Sequence, residues 1–100
     1  MKTTILKEGG ELVAVLEGRL DTAAAAQTEQ DMQPLYECEG CDVVLDCSKL
    51  DYISSTGLRL FLSLLKATKI KGSHVFIKGM NSNLQQVFAM TGFSSLFEFK

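Results

Sequence analysis

Several classes of protein are made improbable by what this sequence lacks. It has no tryptophan, one proline and one histidine in 100 residues, and its net charge is −2 without any basic tract. Nucleic acid and anionic membrane surfaces are therefore not expected partners. No apolar run reaches the roughly 18 residues that a membrane helix requires. The N-terminal stretch also lacks the apolar core of a signal peptide, which predicts a cytoplasmic protein.

The residues that are present describe an ordinary globular domain. Hydrophobic residues make up 46% of the chain and charged residues 22%, a balance typical of folded proteins. One hundred residues are enough for a single core, so residues 1–100 are predicted to form one domain. The scarcity of proline and the absence of serine- or glycine-rich stretches argue against linkers.

Strand and helix patterns alternate along the chain, which predicts an α/β fold with parallel connections. The Gly9-Gly10 pair indicates a hairpin, Asp21 or Thr22 can cap the first helix, and Pro34 should bend or end that helix. The predicted strands cover 3–6, 11–16, 42–46, 73–77 and 96–99, with a turn at 17–21, and the helices cover 22–37, 57–71 and 83–90.

The most informative stretch joins the central strand to the central helix. Ser54, Ser55 and Thr56 stand directly before Gly57 and a long segment of helical periodicity. Hydroxyl side chains at this position cap a helix, because the first helical N–H groups need acceptors. Three hydroxyls at the positive end of a helix also form a place where a phosphate could be carried or bound.

The central helix carries more leucine than one buried stripe requires. Leu58, Phe61, Leu62 and Leu65 follow the spacing of a core-facing stripe. Leu60 and Leu64 extend the apolar surface to one side. Exposed apolar patches commonly mark interaction sites. We predict that this flank contacts a partner protein.

Three segments resemble the STAS family, the domain of anti-anti-sigma factors. They are the central LDCSKLDYISSTGLRLFL, the turn GRLD at 18–21 and the tail LQQVFAMTGFSSLFEF. The family's usual Asp before the serine pair is Ser54 here. The resemblance implies a single STAS-like domain with a mixed, mostly parallel sheet of four to five strands and helices packed against it.

The resemblance also implies a function, that of an anti-sigma factor antagonist. Its partner would be an anti-sigma factor that is also a serine kinase of the histidine-kinase-like ATPase type. Phosphorylation of Ser55, or alternatively of Thr56, would end the interaction, and a phosphatase would restore it. The alternative is a STAS interaction module of a lipid-transport or signalling assembly that is not phosphorylated. The residues predicted to contact the partner are Asp21, Ser54, Thr56, Gly57, Leu60 and Leu64.

The cysteines permit two other interpretations. Cys38 and Cys41 form a C-x-x-C pair, but the pair follows a predicted helix, whereas a redox pair requires a helix N-terminus. Zinc would also need Cys47 and His74. Cys41 and Cys47 bound one predicted strand and should lie roughly 20 Å apart, too far for one ion. We predict three free thiols, a structural His74, and neither metal nor cofactor.

No catalytic arrangement is visible in the sequence. Ser55 has no neighbouring base in sequence that would activate it as a nucleophile, and the glycines do not form a phosphate-binding loop. Asp46 and Asp51 flank the central loop and are compatible with a metal pair, but acids at such positions more often cap turns. An enzyme is therefore not expected.

Overall fold

The computed structural model describes residues 1–37 and 39–100. None of its described helices is both long and apolar enough to span a membrane. The strands are β1 (Lys2–Glu8), β2 (Glu11–Leu20), β3 (Asp42–Ile53), β4 (Val75–Lys78) and β5 (Glu98–Phe99), and the helices are α1 (Thr22–Asp31), α2 (Gln33–Tyr36), α3 (Ser55–Ile70) and α4 (Ser82–Met90), with a 3-10 turn at Phe93–Ser95.

The five strands form one sheet in chain order, β1-β2-β3-β4-β5. β1 and β2 are an antiparallel hairpin, and the other neighbouring pairs are parallel. This confirms the predicted mixed, mostly parallel sheet. Three successive parallel crossovers advance in the same direction across the sheet. Because such crossovers are right-handed, they place all the connecting helices on one face.

The alternation of core and non-core residues along the strands agrees with helices on one face only. In β3, Val43, Leu45 and Cys47 belong to the buried cluster that includes Phe61 of α3, whereas the intervening Val44 does not. Side chains of successive strand residues point to opposite faces. The helices therefore cover the face of Val43 and Leu45, and Val44 lies on the other face.

Strands β2 and β3 run well past the ends that the sequence predicts. β2 continues through Gly18 to Leu20, so the predicted turn at 17–21 is wrong, and β3 continues to Ile53 instead of ending at Asp46. The extensions pair with each other, with register shifts on either side of Glu17 and Gly18. Pairing between segments distant in sequence holds these residues extended despite their weak local preference for strand.

The middle of β3 is irregular, and there it lies close to the loop that follows β4. Asp46 Oδ1 accepts hydrogen bonds from the Ser48 N–H at 3.0 Å and the Ser48 Oγ at 2.7 Å. Burial alone would raise the pKa of Asp46, but these bonds, with Lys78 and Lys49 nearby, lower it. Gly79, at φ +78°, approaches the Ser48 backbone so closely that a Cβ would lie 3.0 Å from it. Asp46 therefore stabilises an irregular part of β3 and not the turn that was predicted for it.

The helices begin largely where the sequence predicts. Asp21 caps α1 by accepting the Ala24 N–H at 2.9 Å, and Asn81 caps α4 by accepting the Leu84 N–H at 2.8 Å. The first predicted helix breaks at Met32, and Pro34 occupies the first turn of α2, where its missing N–H costs nothing. The sequence predicted that Pro34 would bend or end the helix, and in the structure the helix ends just before it.

The cysteine prediction is wrong for one residue. Cys41 is disulfide-bonded, whereas Cys47 is free and buried. Burial in the core, with the charge of Asp46 as a lesser cause, raises the pKa of the Cys47 thiol to about 12. The prediction for Cys38 lies outside the described residues. Among the residues that are described, no group of acids, cysteines and histidine is placed to hold a metal ion.

Candidate functional site

Ser54 alone joins β3 to α3. Its Oγ accepts the Gly57 N–H at 3.1 Å, and its own N–H donates to the Leu20 carbonyl at 2.9 Å. Only 8% of Ser54 is exposed. The serine was predicted both to cap the helix and to contact a partner; the cap is present, and it holds the hydroxyl within the domain.

Ser55 is the first residue of α3 and is exposed. No acidic residue lies in the first turn of the helix. The N-terminal amides and the helix dipole favour a negative charge at this place. A negatively charged group on the Ser55 hydroxyl would therefore be exposed to solvent and stabilised by the N-terminus of α3.

The N-termini of α1 and α3 lie side by side. The hydroxyls of Thr22 and Thr56 are 3.5 Å apart, and Thr56 is half-buried. Asp21, immediately before Thr22, accepts its capping hydrogen bond from within α1. The structure thus brings the two predicted segments, 18–21 and 54–57, to one end of the sheet, where β2 and β3 both end.

Gly57 has a packing role in the first turn of α3. A Cβ built on it would lie 2.8 Å from both Leu20 Cγ and Ile53 Cγ1. Gly57 has no positive φ angle, so the requirement for glycine is steric. The missing side chain lets the first turn of α3 pack directly against the ends of β2 and β3.

The predicted exposed flank of α3 does not exist. Leu60 is 5% exposed and Leu64 is fully buried, and both belong to the core. Leu62, which was assigned to the core stripe, is only partly buried. Helix α1 packs against α3, so the side of α3 that was predicted to be open is covered.

A groove remains between α1 and α3 beside the Ser55 turn. It has a volume of about 330 Å³, and Leu60 contributes to its wall. Glu29 of α1 and Arg59 of α3 bring opposite charges to it. The remaining lining residues are small or hydroxylated: Thr22, Ala25, Ala26, Thr56 and Ser63.

A second feature near the site was not foreseen. The guanidinium of Arg19 lies 4.4 Å from the centre of the Tyr52 ring, and 40% of Tyr52 is exposed. The two residues are register partners at the ends of β2 and β3. Because the sequence predicts that both strands end earlier, it could not show that these side chains meet.

The comparisons with known proteins agree with this architecture. A family model described as the STAS domain matches residues 3–100. The chain belongs to the STAS domain family. BtrV of Bordetella bronchiseptica, whose name assigns it provisionally to the anti-sigma factor antagonists, is 35% identical over 97 residues, covering 97% of this chain and 84% of BtrV. The anti-sigma-B factor antagonist of Listeria monocytogenes is 26% identical over 83 residues, covering 83% and 73% respectively.

A solved structure confirms the STAS fold. The anti-sigma factor antagonist SpoIIAA, in a structure described as the phosphorylated form of a Bacillus cell fate determinant, superposes with a TM-score of 0.73 at 16% identity. That match covers 99% of this chain and 91% of SpoIIAA. The unphosphorylated form gives a TM-score of 0.75 at 14% identity, covering 99% and 87%. These identities establish the fold alone.

Proposed function

We propose that this STAS domain is an anti-sigma factor antagonist whose binding is switched off by phosphorylation of Ser55. The observation that carries the proposal is the placement of Ser55, exposed on the first turn of α3 and directly after the buried Ser54 cap. The relatives named as antagonists support the binding function. The partner would be a serine-kinase anti-sigma factor of the histidine-kinase-like ATPase type, opposed by a phosphatase.

Local electrostatics explains why the domain would tolerate the modification. A phosphate on Ser55 adds about −1.5 to −2 charges and three acceptor oxygens. The N-terminal amides of α3 favour an anion there, and Arg59 follows one turn along the helix. The neutral Ser54 cap adds no opposing charge. The fold should therefore change little.

The same charge would act against a partner. The proposed contact surface consists of exposed Ser55, half-buried Thr56 and the groove between α1 and α3. A complex that covers this surface removes the phosphate from water, and the desolvation is costly unless the partner supplies cations and donors. Phosphorylation would thus weaken binding through local charge, without a conformational change. Asp21, Ser54 and Gly57 would support this surface from within.

The test begins with the partner that copurifies with the tagged protein from its own cells. Purified partner and ATP should label Ser55, located by mass spectrometry. Ser55→Ala should abolish labelling but still bind, whereas Ser55→Asp should fold yet bind at least about tenfold more weakly, as one lost favourable contact or one new repulsion can produce. Ser82→Asp, at the exposed first residue of α4 and outside the proposed contact surface, controls for added charge.

Each other outcome changes the conclusion. Labelling at Thr56 alone would move the acceptor by one residue. Equal binding by the wild type and Ser55→Asp would contradict the switch and favour a STAS interaction module that is not phosphorylated. Copurification of transport subunits without any kinase would point the same way.

A further inference from the structure

The sheet has one face that none of the described helices covers. The parallel crossovers place the helices on the face of Leu45 and Ile77, both of which belong to the core. The opposite face carries the alternate residues of all five strands. We call this surface, centred on Leu6, Val13, Val44 and Phe76, the open face.

An apolar row crosses the middle of the open face. Leu6 pairs with Val13, Val13 with Val44, and Val44 with Phe76, so one residue from each of four strands stands in a single register row. Leu6 is 42% exposed, and Phe76 is partly exposed. This row lies away from the helix side and belongs to no site described above.

Lys100 shields part of this row. Its Nζ lies 5.0 Å from the centre of the Phe76 ring and 2.8 Å from Glu11 Oε2, so its side chain passes over the open face. Val13 and Val44 are almost completely buried within one copy of the chain. Only a modest apolar area is therefore left at Leu6 and Phe76, and any partner held there must also use charge.

Charges on the open face are separated on the two sides of the apolar row. On one side, Glu8, Glu11 and Asp42 form an acidic register row at the start of β2 and β3. Lys100 of the same chain pairs with Glu11, and the row keeps an excess of negative charge. The other side lies towards the ends of the parallel strands and is mainly basic. Its cations are Lys2, Arg19, Lys49 and Lys78, and its acids are Glu17 and Asp46.

We propose that the open face is a homodimer interface in which two copies pack sheet against sheet with their parallel strands in opposite directions. A two-fold axis along the apolar row stacks the row of one copy on that of the other. It also places the acidic row of each copy opposite the basic side of its partner. One surface is thus complementary to itself, as a two-fold interface requires.

This dimer goes beyond the proposed function and does not depend on it. Ser55 begins a helix on the other face of the sheet, so both Ser55 turns of a dimer would stay accessible. Since the exposed apolar area is modest, the dimer should be weak and concentration-dependent. Because charge pairs hold it, added salt should weaken it, whereas an interface that depends on apolar burial would not respond in this way.

The first test is sedimentation velocity of the whole chain over micromolar to millimolar concentrations at low and high salt. The wild type should form dimers, and Leu6→Glu should be monomeric because it places a charge in the apolar row, opposite the same charge of the other copy. Ile70→Glu makes the same kind of change at a site 88% exposed on the helix side and should leave dimerisation intact. A monomeric wild type throughout, or equal dimers with Leu6→Glu, would overturn the proposal.

A charge exchange provides the decisive test. The variant Lys2→Glu/Lys49→Glu makes both sides of the face acidic, and Glu8→Lys/Glu11→Lys makes both basic. Each alone should raise the dimer dissociation constant about tenfold or more, while an equimolar mixture should form heterodimers. The matched control, Lys66→Glu/Lys69→Glu, changes the net charge equally on exposed positions of α3.

Circular dichroism and thermal melts of each variant exclude unfolding as the cause of monomers. Restoration of dimers by mixing would itself show that both variants retain a folded interface. If the mixture stays monomeric, or if the α3 control weakens the dimer as much as the open-face variants do, the charge-paired arrangement is wrong.

Discussion

Gly57 lies directly against Leu20, so that a Cβ on the glycine would be 2.8 Å from the leucine Cγ. The Leu20 carbonyl also accepts the N–H of Ser54, at 2.9 Å. The end of β2 therefore holds the start of α3 by one hydrogen bond and one close contact. Through this relationship a residue distant in sequence fixes the turn that presents Ser55.

We expect Gly57→Ala to destabilise the domain. Alanine would normally be preferred to glycine in a helix by about 1 kcal/mol, but the added methyl group meets Leu20 and Ile53 in a packed core. Overpacking of this kind costs about 1–3 kcal/mol. Urea denaturation should show a lower midpoint than that of the wild type. Ser63→Ala, exposed on the same helix, should hardly change the midpoint; an equal or raised midpoint for Gly57→Ala would contradict the steric role.

Leu64→Ala should cost about 2–5 kcal/mol of unfolding free energy, because it leaves a cavity at a fully buried position of α3. The matched truncation, Ile70→Ala, lies near the end of the same helix and is 88% exposed in the wild type. It should change the free energy by no more than about 0.5 kcal/mol. Similar losses of unfolding free energy in the two variants would contradict the burial of Leu64 and support the exposed leucine flank that the sequence predicted.

Removal of the Ser54 hydroxyl should lower the stability of the domain, because it removes the cap of α3. Ser54→Ala leaves the Gly57 N–H without its 3.1 Å acceptor and should cost about 1 kcal/mol. Ser55→Ala, one residue later, removes an exposed hydroxyl and should be nearly neutral. Thermal unfolding of the two variants under identical conditions makes the comparison, and a larger loss in Ser55→Ala would contradict the assignment of the cap.

Cys47 should be inert towards alkylating reagents in the folded protein. Its thiol is buried and its pKa is raised to about 12, so very little of the reactive thiolate forms at neutral pH. Iodoacetamide followed by peptide mass spectrometry should leave Cys47 unmodified in native buffer and modify it in denaturant. Rapid native labelling would show that this end of the core opens.

Local patterns were sufficient for much of the candidate site. Hydroxyls before a helical stripe predicted a helix cap among Ser54, Ser55 and Thr56, because capping depends on a few consecutive residues. The structure then identified Ser54 as the cap and Ser55 as exposed. The cap at Asp21 and the break near Pro34 follow for the same reason. The placement of Leu60 and Leu64 failed because their burial depends on α1, which lies some thirty residues earlier in the sequence.

The sequence by itself determined the STAS family, the α/β class, the hairpin at Gly9-Gly10 and the chemistry available at the Ser55 turn. Each of these depends on neighbouring residues or on a recognisable segment. The tertiary structure alone decided how far β2 and β3 run, that Arg19 stacks on Tyr52, and that none of the described helices covers one face of the sheet. These features depend on pairing and packing between segments that are distant in sequence. Which segments meet is decided only when the chain folds.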